Sequence, residues 1–157
     1  MPVVASSGAL VGRIIESGPG YAVVRLVTDA SFAVGVKSIG RVGAKVATGT
    51  AKGRVGADDL LVEDFEPAGV VKVGDRVVTS PLSTSDPPDI AVGEVARIAE
   101  IPGGFGRNVF VAPYADLGAL DVVAVLLWKP GLGPVVRPTT TTTSTTTTVP
   151  SSSSSGG

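Results

Sequence analysis

Apolar residues in this chain come in short runs, and small or polar residues break each run before a helical face can form. Residues 9–17 are apolar with a glycine at Gly12, and the Gly-Pro-Gly at 18–20 is a strong turn signal. Residues 21–28 make the next run, 29–31 turn the chain, and 32–38 alternate apolar with small or polar positions. Residues 40–59 read as two short strands loosened by glycine, around a turn near Thr48-Gly49. Further strands are predicted over 60–65, 76–80, 93–101, 108–113 and 121–128, with one helical turn over 114–120. The result is about ten short strands at the spacing of roughly 8–12 residues expected of a sandwich or barrel. No window sustains the helical period of about 3.6 residues over three turns. The fold class is therefore all-β and mostly antiparallel.

Two boundaries follow. Residues 1–7 read as a short lead-in, and 8–130 as the β-domain. From Pro134 the composition changes: nine of the ten residues 139–148 are threonine, and a serine run follows. Such a segment buries too little apolar area to offset its ordering entropy, so 134–157 is expected to be a disordered Thr/Ser/Pro-rich tail. Its composition also suits a solvated stalk that carries sugars.

Composition narrows the chemistry. The 157 residues include 21 glycines but only seven aromatics, counted as one Trp, two Tyr and four Phe. A net charge of −1 lacks the basic stripe of a nucleic-acid partner. Cysteine and histidine are both absent. That removes thiol nucleophiles, disulfides, Ser-His-Asp sets and histidine metal sites, and leaves carboxylate chemistry, lysine chemistry and oxygen-ligated cations. No apolar run reaches the roughly 18 residues of a membrane-spanning helix, and no signal peptide is visible.

The remaining candidates weaken when read residue by residue. The glycine-rich stretches 49–56 and 103–108 lack the Gly-Lys-Ser/Thr or Rossmann spacing and the helix that would follow it, so they read as hairpin turns. The acids Asp58, Asp59, Glu63, Asp64 and Glu66 are interrupted by an apolar strand and read as a solvated face. Asp86 and Asp89 flank Pro87-Pro88; paired carboxylates suit glycoside hydrolysis, but no aromatic platform accompanies them. Ser80 with Lys72 leaves a Ser–Lys dyad formally open, against the simpler reading of hydroxyls that satisfy turn amides. Lys72, between Val71 and Val73, has the apolar flanks of a biotinyl or lipoyl attachment site but precedes the turn and does not form its tip. Two Val-Gly-acid phrases, at Val73-Gly74-Asp75 and Val92-Gly93-Glu94, read as turns that start strands, with Asp75 and Glu94 as turn caps.

Several of these pieces, in order, resemble one family. The Leu-Val-Gly strand at 10–12, the strand ending in Thr28-Asp29, the glycine-rich run at 53–56 leading to the leucines at 60–61, the Gly74-Asp75-Arg76-Val77-Val78-Thr79-Ser80 phrase, the Val92-Gly93 that follows, and the closing run to Trp128 are similar to the extracytoplasmic β-domain of the rod shape-determining protein MreC. Gly12, Gly74, Asp75, Thr79, Ser80 and Gly93 carry the motif as structural residues. The chain departs from the family where Pro81 follows Ser80, and at Asp86-Pro87-Pro88-Asp89. That makes the segment with Ser83, Ser85, Asp86, Pro87 and Asp89 the candidate partner-contact loop.

The resemblance implies two small packed antiparallel β-barrels and a non-enzymatic scaffold of bacterial cell elongation. It implies no cofactor. The partners it implies are a class B penicillin-binding transpeptidase, an MreD-type membrane protein and further copies of the chain, with no nucleic acid. It places the domain on the extracytoplasmic face of the cell membrane, with the anchor absent from this chain. The alternative reading is a β-barrel adaptor or carrier of the membrane-fusion or biotinyl type.

Overall fold

Valine is β-branched, stiff at its first side-chain torsion and suited to a pleated surface, and in this chain it fills strands that close on one another. The computed structural model describes residues 1–40, 45–63, 65–67, 69–83, 85–101 and 106–128. Ten strands run through them: β1 Pro2–Ala5, β2 Leu10–Gly18, β3 Tyr21–Leu26, β4 Ala33–Ile39, β5 Thr48–Lys52, β6 Leu60–Val62, β7 Arg76–Thr79, β8 Ala91–Glu100, β9 Arg107–Pro113 and β10 Val123–Val125. Six of them form a closed barrel in the order β4-β5-β6-β9-β8-β7, and the other four an open sheet in the order β10-β1-β2-β3. Every strand pairing is antiparallel. The all-β architecture expected from the sequence is the one observed, and its second unit is this four-stranded sheet. The expected tail, 134–157, lies outside the described residues.

Alternation sets the barrel interior. Along β4, Val34, Val36 and Ser38 point inward while Ala33 and Ile39 point to solvent. Ala51 of β5, Leu60 and Val62 of β6, Val77 of β7, Val92 and Val95 of β8, and Val109 and Val111 of β9 join them in the lining. A six-stranded barrel is narrow, so branched side chains of valine size fill it and leave no channel. Burying each one contributes about 1.5–3 kcal/mol. The sheet is not a separate body: Val4 and Leu10, from its first two strands, belong to the same apolar cluster as the barrel lining. Ala9 also bridges Ala91 at the start of β8.

Four local expectations differ from the structure. Residues 1–7, read as a lead-in, contain β1, held between β2 and the last strand, β10. The turn expected near Thr48-Gly49 is strand: β5 runs through it, with Gly49 opposite Val36. The first of the two strands expected over 40–59 falls partly on 41–44, outside the described residues. Residues 114–120 form a turn, with Ala119 N donating to Asp116 O at 3.3 Å, and no helix. Gly93, read as a turn, lies within β8.

The reason for the Gly93 difference is steric, and two other glycines share it. A Cβ at Gly93 would run into the carbonyl of Ala112, at Gly12 into that of Arg25, and at Gly53 into that of Asp29. These residues are glycine because another backbone passes close, not because the chain reverses there. Gly93→Ala is therefore expected to destabilise the fold by roughly 1–3 kcal/mol, the usual cost of forcing volume into a packed site. Urea unfolding checks this, and an unchanged midpoint would contradict the close approach.

Candidate functional site

The β7–β8 hairpin is opened by an insert, residues 80–90, and among its described residues several hydrogen bonds fasten the backbone. At its base Thr79 Oγ1 donates to the Pro87 carbonyl at 2.6 Å and accepts the Ile90 amide at 2.9 Å. Ser80 N donates to the Gly35 carbonyl of β4 at 2.8 Å. The Ser80 hydroxyl accepts Leu82 N at 3.2 Å, and Ser83 N donates to the Ser80 carbonyl at 3.0 Å. Asp89 takes a left-handed backbone, φ 68°, which aspartate tolerates better than most side chains. Its carboxylate meets Lys37 Nζ of β4 at 2.6 Å.

The insert folds one carboxylate inward. Asp86 is 1% exposed, and its two oxygens face Arg13 of β2: Nε to Oδ1 at 3.4 Å and Nη2 to Oδ2 at 2.5 Å. The Ser83 hydroxyl donates to Oδ2 at 3.2 Å. The Arg13 guanidinium lies 5.4 Å from the centre of the Phe32 ring, close enough for a cation–π contact. The two carboxylates of Asp86-Pro87-Pro88-Asp89 thus serve different cations on different strands. They do not face a common space, as a glycosidase pair must.

Of the candidate contact residues, Ser85 and Asp89 are exposed, Ser83 and Pro87 are partly covered, and Asp86 is buried. Of the motif residues, Thr79 and Ser80 form the base of this insert, and the others sit elsewhere. Gly74, φ 89°, turns the chain between Lys72 and Asp75, and Asp75 Oδ2 accepts the Lys72 amide at 2.8 Å. Gly74 N and the Asp75 carbonyl both bond to Val95 across the hairpin. Glu94 lies in β8 opposite Arg76 and caps no turn. Lys72 and Ser80 fall at opposite ends of β7, so the Ser–Lys pair is not assembled. Glu63 pairs with Lys52 at 3.1 Å and Asp59 with Arg54 at 2.6 Å, while Asp64 lies outside the described residues. Among the described residues no cluster of three or more carboxylates is placed to hold a metal ion, and no helix is long and apolar enough to cross a membrane. The stretch 49–56 is β5 followed by a turn at Val55-Gly56; of 103–108, residues 103–105 lie outside the described residues.

Arg13, Phe32 and Lys37 were not legible as site residues. One signal existed: Arg13 is a charge inside the apolar run Leu10–Ile15, a placement that calls for a partner. Thr79→Val should cost roughly 1–3 kcal/mol, because the Ile90 amide is left unpaired in a buried place. Thr79→Ser should retain most of that. Equal loss in both variants, measured by thermal unfolding, would show that the hydroxyl is not what matters.

Comparison with known proteins accords with this architecture. Residues 1–127 match the family model described as rod shape-determining protein MreC, barrel core. A solved MreC from Pseudomonas aeruginosa is 26% identical with a TM-score of 0.68, over 80% of this chain and 78% of that one. An MreC from Listeria monocytogenes is 27% identical with a TM-score of 0.67, over 78% of this chain; the match spans 58% of the Listeria chain. A complex between penicillin-binding protein PBP2 and MreC from Helicobacter pylori shares the fold at 21% identity and a TM-score of 0.54, over 70% of this chain and 64% of that one. A search of curated proteins finds no match.

Proposed function

The chain belongs to the MreC family of rod shape-determining proteins, and on that premise we propose that it is a non-enzymatic scaffold of the bacterial cell-elongation machinery. The observation that carries this reading is the extent of the family match. It runs from residue 1 to 127 and so takes in the sheet, the barrel and the returning strand β10. The proposed partners are a class B penicillin-binding transpeptidase, an MreD-type membrane protein and further copies of the chain. The proposed place of work is the extracytoplasmic face of the cell membrane. The Helicobacter pylori relative, solved with PBP2, supports the first partner class.

The surface suits a binding role. Among the described residues the open sheet ends in two edge strands, β3 and β10, and edge strands offer unpaired backbone groups to a partner. Both carry exposed apolar side chains: Tyr21 at 54%, Val23 at 41%, and Val123 and Val125 at 42% each. Apolar groups at an exposed edge suit a second protein better than water. At the β7–β8 insert Ser85 and Asp89 face outward together with Pro81, Leu82 and Pro88, and a partner contact there would use them. Against the carrier reading, Lys72 has its own amide tied to Asp75 inside a tight turn.

The test is direct binding of the folded chain to a class B transpeptidase ectodomain, by biolayer interferometry, alongside light scattering of the chain alone. Saturable binding, self-association or both are expected. A folded chain that stays monomeric and binds no transpeptidase contradicts the scaffold reading. Intact-mass analysis after co-expression with biotin and lipoate ligases is expected to show no addition at Lys72. A biotinyl or lipoyl adduct there would instead support the carrier.

A further inference from the structure

The two edges of the open sheet are not alike. β10 is three residues long, whereas β3 runs for six, Tyr21–Leu26. Folded chains blunt their sheet edges with short strands, proline, lysine or bulges. β3 has no proline and no lysine, and the bulge in its hairpin, at Ile15, belongs to β2. The direction of its backbone groups follows from two contacts. Val27 N donates to Val11 O at 2.9 Å, and a Cβ on Gly12 would run into the Arg25 carbonyl. Backbone groups alternate in direction along a strand, so the odd-numbered residues of β3 face β2. Ala22, Val24 and Leu26 therefore turn their N–H and C=O groups the other way, and among the described residues nothing pairs with that side. Side chains alternate as well. Val24 packs on the apolar cluster of Val3, Val11 and Ala115, so Tyr21, Val23 and Arg25 share the opposite face.

We propose that β3 docks on β3 of a second copy, antiparallel, about a two-fold axis that passes through the Val23 pair perpendicular to the sheet. This rests on the reading that copies of the chain associate, and it names the surface they use. The axis sets Val23 against the partner's Val23, Ala22 against the partner's Val24, and Tyr21 against the partner's Arg25. Ala22 and the partner's Val24 then exchange both backbone hydrogen bonds, and the axis repeats the exchange. The side chains favour this register. Val23, 41% exposed, meets its own copy, apolar on apolar. Arg25 makes no ion pair among the described residues, and its guanidinium comes beside an aromatic ring, a cation–π pairing that occurs twice. The Tyr21 hydroxyl already bonds Glu16 at 2.9 Å, so a carboxylate waits at the end of that ring for the incoming cation. The neighbouring register, centred on Val24, sets Arg25 against Val23 and loses both contacts. A single strand pair buries less than the roughly 1,200–2,000 Å² of a stable complex, so the dimer is weak and reversible.

The chain contains no cysteine, so single introduced thiols report the pairing. Ala22 and Val23 are exposed, and Val24 is half-buried. Val23→Cys puts two thiols across the axis at a non-hydrogen-bonded pair, where side chains stand closest and a disulfide can form. Mild oxidation should give a covalent dimer from Val23→Cys and none from Ala22→Cys or Val24→Cys. Val23→Lys sets two ammonium groups face to face and should abolish the non-covalent dimer in sedimentation velocity. Tyr21→Lys should do the same by opposing Arg25, and adding Arg25→Glu should restore the dimer. No covalent dimer from Val23→Cys, or one formed equally by all three thiols, overturns the pairing. A dimer from Val24→Cys alone overturns it too, in favour of the neighbouring register. Self-association that survives Val23→Lys removes the β3 pairing and leaves self-association standing. A parent chain that stays monomeric throughout removes both, and transpeptidase binding is judged separately from either.

Discussion

A carboxylate at 1% exposure has to be paired, and Asp86 meets that constraint with an arginine 73 residues away in the chain. Much of the surrounding structure follows from it. The insert leaves the β7–β8 hairpin and crosses the outside of β4, where a Cβ at position 35 would touch Ser83 at 3.4 Å. The ends of the insert must be fixed, which Thr79 does from inside the hairpin and Lys37 does from β4. The Arg13 guanidinium lies over an aromatic ring, which Phe32 provides. Removing one member of such a pair typically costs about 3–5 kcal/mol, whereas the intact pair adds little net stability. Stability resides in the apolar cluster that joins the barrel lining to Val4 and Leu10.

Chain order gives that cluster its cohesion. The first three strands build most of the sheet, the next six close the barrel, and the last strand returns to pair with the first. Val3 lies opposite Val125, so the start and finish of the described chain pair side by side in the open sheet. A partner that engages either sheet edge therefore pulls on a body tied to the barrel through both its apolar root and its ion pair. That is a suitable build for a protein that holds others in position.

The strands were legible where valine alternates or runs without interruption, as in β4, β7, β8 and β9, because those residues line the barrel and little else competes. β1 was not legible: four residues beginning with proline carry no usable period, and their strand character comes from β2 and from β10, some 120 residues away. Glycine misled in a consistent way. Gly74 turns the chain and Gly93 does not, yet both sit in a Val-Gly-acid phrase. The difference is the Ala112 carbonyl beside Gly93, a tertiary contact that no local pattern contains. The family was legible from the order of several weak motifs. The site was not, because the Ser83–Asp89 segment reads as a polar loop until Arg13 is known to lie beneath it.

The inward-facing Asp86 is tested most directly by the proton NMR signal of the Arg13 side-chain Nε–H. Held against a buried carboxylate, that proton should give a resolved signal in slow exchange with water, and the signal should disappear in Asp86→Ala. An Arg13 Nε–H exchanging as fast as those of solvent-exposed arginines in the same spectrum would mean that the insert does not close on the sheet, and would contradict the arrangement described above.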